Sequence, residues 1–295
     1  MNMNSQKLDF ITTDEYTADD VKRVQFTSVE LLKKIVEIFH KHNIEYIVAH
    51  GTLLGLIRHE GKFIPWDDDC DLFVFDWCYS RAIEILRREL PENMIVHNRR
   101  TDPIYWCKWT KIRDAHSYTE ETLWKIDSKF KYHGICIDLL RATPSTNGEY
   151  RELVFKRKLH KRRKWVAKKR KKRISLFKKI RWRIGDLYYA FAHLLHKIIC
   201  LCDKKKIIIA NKDTVIEATF KTKDVFPLQY YNFEGLRVLG PKNPDGVLKS
   251  LYGDYMKIPN IERISREQHA SIWDTEKNYT EYIEKSPSLP AKYVL

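Results

Sequence analysis

Four aspartates within one short run are the residues of this sequence best suited to chemistry. The run reads Pro65-Trp66-Asp67-Asp68-Asp69-Cys70-Asp71-Leu72-Phe73-Val74. Its apolar end predicts a strand, on which Asp69 and Asp71 project from the same face about 7 Å apart. Two carboxylates this close repel each other unless a cation lies between them, and hard oxygen ligands suit magnesium (Mg²⁺) or manganese (Mn²⁺). The alternative interpretation is an acidic surface turn ahead of a strand.

Besides Asp69 and Asp71, a further candidate acid stands inside another apolar segment. Asp138 lies in Gly134-Ile135-Cys136-Ile137-Asp138-Leu139-Leu140, which predicts a strand. Burying a carboxylate among apolar side chains costs free energy unless the group is paired or bound to metal. If this strand lies beside that of Asp69 and Asp71, the three acids converge on one site. The alternative is that Asp138 ends the strand and caps a turn.

Candidate phosphate ligands lie on both sides of the acidic run. The pair Gly51-Thr52 predicts a turn into a short helix, where backbone amides can approach a phosphate. Arg58 is predicted on that helix, and Lys111 and Arg113 share one face of a later strand, from which they can neutralise phosphate oxygens. A glycine at a turn is a weak signal, however, and each cation can equally be a solvated surface group.

Two tryptophans near these groups are candidates for binding the organic parts of a ligand. Trp66 and Trp109 can stack on a nucleobase or enclose a quaternary ammonium by cation–π contact. Each can equally be a core aromatic.

Hydrophobic periodicity predicts the elements that must position these residues. A helix is predicted over residues 28–42, with the Ser28 hydroxyl as its cap. Further helices are predicted at 53–58, 76–90, 149–206 and 246–252, and strands at 45–49, 69–75, 105–112 and 134–140. This order predicts an α/β or α+β domain over residues 25–145.

The 23 residues from His50 to Leu72 resemble the LicD family of phosphocholine transferases, whose signature the fukutin-related proteins share. The family pattern is a Gly-Thr-Leu-Leu-Gly turn, an arginine and a Pro-Trp-Asp-Asp-Asp-x-Asp run, and all of these stand here. Residues 134–140 and 251–256 fit as well, whereas residues 150–225 match only as a variable basic helical region. Cys70 is a mild departure, because an aliphatic residue is more common at that position.

The resemblance implies a nucleotidyltransferase-type mixed sheet with flanking helices, and magnesium as the cofactor. It implies transfer of a phospho-alcohol, phosphocholine first of all, from a CDP-activated donor such as CDP-choline. The acceptor would be a hydroxyl of a cell-surface glycan precursor, as in lipopolysaccharide, teichoic acid or capsule biosynthesis. Asp69, Asp71 and Asp138 are then the catalytic and metal-binding residues, and the donor is held by Gly51, Thr52, Arg58, Trp66, Lys111 and Arg113.

Two other functions stay open. A metal-dependent glycosyltransferase also uses Asp-x-Asp at a strand end to hold a nucleotide-sugar, but acids soon after a Gly-Thr turn and a helix follow the nucleotidyltransferase order by resemblance. A nucleic-acid-binding nucleotidyltransferase-like protein would use the basic residues 156–183 for salt-dependent phosphate contacts. Nucleic acid is disfavoured, because those residues lead into an apolar stripe without a base-stacking aromatic pattern.

One segment carries the whole basic excess of the chain. Residues 156–183 contain 17 of the 54 lysines and arginines and no acid, and the other 37 nearly balance the 39 acidic residues. Apolar residues then recur every three or four positions from Phe177 to Leu201, which predicts an amphipathic helix. We expect residues 156–202 to bind an anionic membrane surface, where a lipid-linked acceptor is assembled. The alternative is a solvated basic helix whose stripe packs on the protein.

The composition indicates a globular chain, and the order of its segments predicts three parts. With 295 residues, 43% of them hydrophobic, and only ten glycines and ten prolines, the chain is neither collagen-like nor disordered. We predict a catalytic core at 1–148, a basic helical insertion at 149–206, and a C-terminal part at 207–295 that completes the catalytic domain.

The six cysteines fit no zinc pattern, and neither a signal peptide nor a bilayer-spanning run is evident. The expected location is cytoplasmic, peripheral at the inner face of the cell membrane.

Overall fold

The computed structural model describes residues 18–121, 129–151, 206–210, 218–259 and 270–274, together with single helical residues between 153 and 195. The chain divides into two compact units, one of residues 1–143 with 210–295 and one of residues 144–209. All of the candidate site residues lie in the first unit. The predicted three-part division, with boundaries at 148 and 206, stays a prediction.

The first unit contains helices α1 (Ala18–Lys41), α2 (His50–Arg58), α3 (Asp76–Glu89), α4 (Thr222–Val225) and α5 (Pro244–Tyr252). The predicted cap of the first helix is wrong, because α1 begins at Ala18. Ser28 is instead buried on the inner face of α1, together with Val21 and Val24. The apolar spacing therefore continues upstream of Ser28, and the longer helix is what this spacing stabilises.

The main sheet has seven strands in the described part of the chain. They are β1 (Tyr46–Val48), β2 (Cys70–Phe75), β3 (Met94–His97), β4 (Thr110–Asp114), β6 (Cys136–Thr146), β7 (Lys206–Ala210) and β8 (Thr219–Lys221). Two small sheets pair β5 (Tyr118–Glu121) with β11 (Ala270–Asp274), and β9 (Gln229–Phe233) with β10 (Leu236–Gly240).

Strand order in the main sheet puts the two acid-bearing strands side by side. Neighbours follow the order β1-β2-β6-β4-β3, with β2 and β6 parallel and the other three pairs antiparallel. The predicted class, α/β with a mixed sheet and flanking helices, is confirmed.

β2 is a central, fully covered strand. Leu72, Phe73, Val74 and Phe75 are completely buried, and burying one such side chain contributes about 1.5–3 kcal/mol. A shift of this strand by one residue would exchange its two faces and drive a carboxylate into the core. The packing of β2 therefore fixes where the neighbouring aspartates stand.

Three further predicted boundaries are wrong. The strand predicted at 134–140 is β6, which extends to Thr146. The strand predicted at 105–112 comprises Thr110–Asp114, because Arg99 holds the preceding segment in a turn by donating to the carbonyl oxygens of Tyr105 (3.2 Å) and Trp106 (2.7 Å). Described residues between 149 and 195 are helical as predicted, but Lys206 begins β7, where three consecutive isoleucines favour a strand.

Candidate active site

The three predicted catalytic acids lie on two neighbouring strands. Asp71 of β2 is the register partner of Asp138 of β6 in the parallel pair, so their backbones are about 4.8 Å apart and their side chains share a face. Asp69 directly precedes β2, two residues before Asp71. The adjacency on which the predicted three-acid site depends is present.

Asp138 is held by two donors on the adjacent antiparallel strand and its approach. The Lys111 ammonium lies 2.8 Å from Oδ1 and 3.1 Å from Oδ2, and the Trp109 indole N–H donates to Oδ2 at 2.6 Å. Lys111 is the register partner of Asp138 between β4 and β6. The Lys111 side chain is only 7% exposed and that of Asp138 16%, so each charge depends on the other for compensation.

The start of the acidic run contains a further group of carboxylates. One oxygen from each of Asp67, Asp68 and Asp69 lies within 4.8 Å of the others, and all three residues are half-buried. Three formal negative charges this close favour a divalent cation between them, and carboxylate oxygens are the ligands that magnesium prefers. Among the described residues, the donor chemistry of the run therefore fits magnesium or manganese.

Helix α1 and helix α2 hold the acidic run in place. The Gln25 amide of α1 donates to the carbonyl oxygens of Ile64 (3.0 Å) and Asp67 (2.9 Å). The buried Thr52 hydroxyl of α2 accepts from the Asp71 backbone N–H at 2.9 Å. Thr52 thus joins α2 to β2 through its side chain. Sequence reasoning missed Gln25, because it lies upstream of the predicted helix start.

Gly51 permits a carboxylate to lie against the first turn of α2. A Cβ placed on Gly51 would collide with Asp67 Oδ2, so only glycine leaves room for this approach. A negative charge at a helix N-terminus is stabilising. The close approach predicted for a phosphate at Gly51 is made here by Asp67.

Arg58 and Trp66 form one corner of the site. Arg58 donates to the carbonyl oxygen of Tyr255 at 2.9 Å, and its Cζ lies 6.0 Å from the centre of the Trp66 ring. Tyr255 belongs to residues 251–256, which are part of the resemblance drawn from the sequence. Arg58 therefore brings this distant segment to the helix that follows the glycine turn.

Arg113 points into the core rather than towards the acids. It is completely buried, and it donates to His97 Nδ1 and to the Gly134 carbonyl oxygen, each at 2.9 Å. His97 in turn lies 3.1 Å from Asp102 Oδ2. Since Nδ1 accepts from Arg113, Nε2 carries the proton that is donated to Asp102. Burial lowers the pKa of His97 to about 4, which keeps the ring neutral.

Comparison with known proteins gives the class of this domain. Residues 43–171 match the family described as LicD/FKTN/FKRP, nucleotidyltransferase domain. The chain is 26% identical over 254 residues to the lipopolysaccharide cholinephosphotransferase LicD of Haemophilus influenzae, covering 77% of this chain and 89% of that protein. An uncharacterised protein of Rickettsia prowazekii is 32% identical over 128 residues, 36% of this chain and 47% of its own length.

The resemblance to the LicD family drawn from residues 50–72 is confirmed, because residues 43–171 match the nucleotidyltransferase domain of that family. The matched segment contains the glycine turn, the acidic run and Asp138. The mixed sheet with flanking helices fits the domain that the family description names. Similarity to a cholinephosphotransferase supports a transferase as the class of enzyme.

Proposed function

We propose that this protein is a metal-dependent transferase that moves a phospho-alcohol from a CDP-activated donor to a hydroxyl of a glycan precursor. The observation that carries the proposal is the register pairing of Asp71 with Asp138, next to Asp69 and inside the segment that matches the LicD family. The named activity of the Haemophilus relative favours phosphocholine as the transferred group and a lipopolysaccharide precursor as the acceptor.

Asp69 and Asp71 are the proposed magnesium ligands. Bound there, magnesium would neutralise the donor diphosphate and stabilise the departing CMP. Asp69 is half-buried at the start of β2 and Asp71 is held in place through Thr52. The backbone that carries the proposed ligands is therefore held in place before any ligand binds, which lowers the cost of ordering the site.

Asp138 is proposed to take the proton of the acceptor hydroxyl or to hold a second ion. The acceptor oxygen forms a bond to the phosphorus that bears the alcohol, and the bond from that phosphorus to the bridging oxygen breaks, so CMP leaves with the electron pair. The Lys111 ammonium, 2.8 Å away, favours the ionised carboxylate that both roles of Asp138 require. Trp109 fixes the orientation of that carboxylate from the other side.

The donor contacts are proposed for residues around these acids. Arg58 and Trp66 lie together at the end of α2 and can reach a phosphate and a base, respectively. Gly51 and Thr52 shape the turn beneath the acidic run. Lys111 provides a cation against Asp138, whereas the buried Arg113 is proposed to support β4 and β6 from within.

A ligand panel tests this function. The melting temperature of the full chain is measured with CDP-choline, CDP-glycerol, CDP-ribitol, UDP-glucose and CTP, each with magnesium and with EDTA. A CDP-alcohol should stabilise the protein only with magnesium, by about 2.7 kcal/mol at a hundred times its Kd. If a UDP-sugar is bound and transferred and no CDP-alcohol is, the protein is a glycosyltransferase and the proposal is wrong.

A further inference from the structure

An exposed apolar stripe follows the basic segment. We use the name apolar stripe for eight described helical side chains whose exposed fractions range from 46% to 77%: Phe177, Ile180, Ile184, Leu187, Tyr188, Phe191, Leu194 and Leu195. At 100° per residue these positions fall within an arc of about 120° of a helix. A contiguous apolar surface of this kind marks an interaction site rather than ordinary surface.

The sequence before and within the stripe is strongly cationic. Residues 156–183 contain 17 lysines and arginines and no acid, and the described Arg181 and Arg183 are exposed beside the stripe. Like charges at this density repel one another, so a surface of opposite charge lowers their free energy. The occupant of the stripe must therefore be anionic where it meets the cations and apolar where it meets the side chains.

A second copy of this chain meets neither requirement, since it would bring another 17 cations to the contact. Nucleic acid meets the second requirement poorly, because five of the eight stripe residues are aliphatic and offer no stacking surface for bases, against three aromatic residues that do. Anionic phospholipid meets both, with charged headgroups above an acyl boundary. We propose that the basic segment and the apolar stripe dock this protein on an anionic lipid surface as a peripheral contact.

The segment that carries the apolar stripe would lie in the membrane interface and would not cross the bilayer. No helix among the described residues is long and apolar enough to cross a membrane. The cations would supply the salt-sensitive part of the binding, roughly fivefold in affinity for each one near the surface. The stripe would enter the headgroup boundary and supply a part that salt does not screen. Because the cations and the apolar stripe both contribute, we expect high salt to weaken the binding to the lipid surface but not to abolish it.

Vesicle co-sedimentation of the full chain tests the proposal. The vesicles contain equal parts of phosphatidylglycerol and phosphatidylcholine, or phosphatidylcholine alone, at about 0.1 M and about 1 M salt, where the Debye lengths are about 10 and 3 Å. Two variants separate the two parts of the contact: Leu187→Gln with Phe191→Gln in the stripe, and residues 168–173 with all six cations changed to Gln. Ala190→Gln, on the same helix but outside the stripe, is the matched control.

We expect wild type and Ala190→Gln to bind the anionic vesicles equally, at least about a hundredfold more tightly than neutral ones. The charge variant should lose at least about a hundredfold in affinity, and the stripe variant should lose the binding that survives high salt. CMP release from a soluble donor should stay unchanged in all three variants. Absence of wild-type binding, binding unaffected by both variants, dimerisation through the stripe, or a preference for RNA over vesicles in a gel shift would each overturn the proposal.

Discussion

At the scale of single residues, the candidate site combines several carboxylates with a lysine ammonium that lies against one of them. Asp71 and Asp138 share a register position, and Lys111 lies against Asp138 with little exposure to solvent. A half-buried carboxylate that loses a close counter-charge either moves or becomes protonated. We therefore propose that Lys111 positions the Asp138 carboxylate, a role that can be separated from direct contact with a ligand.

Changing Lys111 tests that role. Lys111→Met should reduce turnover about a hundredfold, because a misplaced catalytic group costs this much, and should lower the free energy of unfolding by about 3 kcal/mol. Lys111→Arg keeps the charge beside Asp138 and should restore most of the turnover. Steady-state CMP release and urea unfolding provide the two readouts. Equal turnover of the Met and Arg variants would contradict the positioning role.

The sequence predicted the acids better than their partners. Asp69, Asp71 and Asp138 could be found because carboxylates in or beside apolar strands are unusual and local. The partners of Asp138 depend on the register between β4 and β6, which no local pattern encodes. From the sequence, Lys111 is expected to bind phosphate or to be a surface cation, and Trp109 to stack on a ligand or to be a core aromatic. The contacts of both residues with Asp138 could not be predicted.

At the scale of elements, the turn before β6 determines where Asp138 lies along the sheet relative to its neighbouring strands. Gly134 has φ +103°, and a Cβ there would collide with the Asp114 carbonyl oxygen. The Gly134 carbonyl oxygen also accepts from Arg113 (2.9 Å) and from Thr119 (3.0 Å). The turn is therefore fixed both by backbone conformation and by close packing.

Replacing this glycine tests the importance of the turn. Gly134→Ala should lower the free energy of unfolding by about 3 kcal/mol, from the strained φ together with the collision. Gly235→Ala is the matched control, since Gly235 also has positive φ, +82°, but has open space around its Cα. The control should cost only about 1 kcal/mol. Urea unfolding with equal losses for the two variants would show that close packing at Gly134 is unimportant.

The bounds of helices and strands were predicted correctly where one hydrophobic pattern marks the element. They were missed where tertiary contacts determine the conformation of the segment. β1, β2 and α3 lie close to their predicted positions, because an apolar run or a regular helical spacing marks each of them. The strand predicted at 105–112 failed because Arg99 turns that segment through carbonyl contacts. β3 was not predicted at all, since its four residues offer too short a pattern to separate from a loop.

At the scale of the whole molecule, two buried histidines link stability to pH. Burial lowers the pKa of His97 and of His133 from 6.5 to about 4. Between these values the unfolded chain binds protons that the folded chain excludes. The free energy of unfolding must therefore decrease as the pH falls from 6.5 towards 4, by up to about 3 kcal/mol for each histidine.

His133→Gln should flatten this pH dependence, because it removes one of the two titrating groups. His116→Gln is the control, since His116 is exposed. The measurement is urea unfolding at several pH values from 7 to about 4, with the slope against pH as the readout. An unchanged slope in the His133 variant would show that this histidine does not contribute to acid sensitivity.

The central claim is that Asp69 and Asp71 hold the metal at which a CDP-activated donor releases CMP. The most direct measurement is CMP release from CDP-choline by wild type, Asp69→Asn and Asp71→Asn, with magnesium varied and with melting temperatures to check folding. Asp19→Asn on α1, whose side chain is 79% exposed, is the control. Wild type and the control should release CMP only with magnesium, and both site variants should lose at least about a hundredfold while staying folded. Near-full activity of either site variant at limiting magnesium would contradict the account.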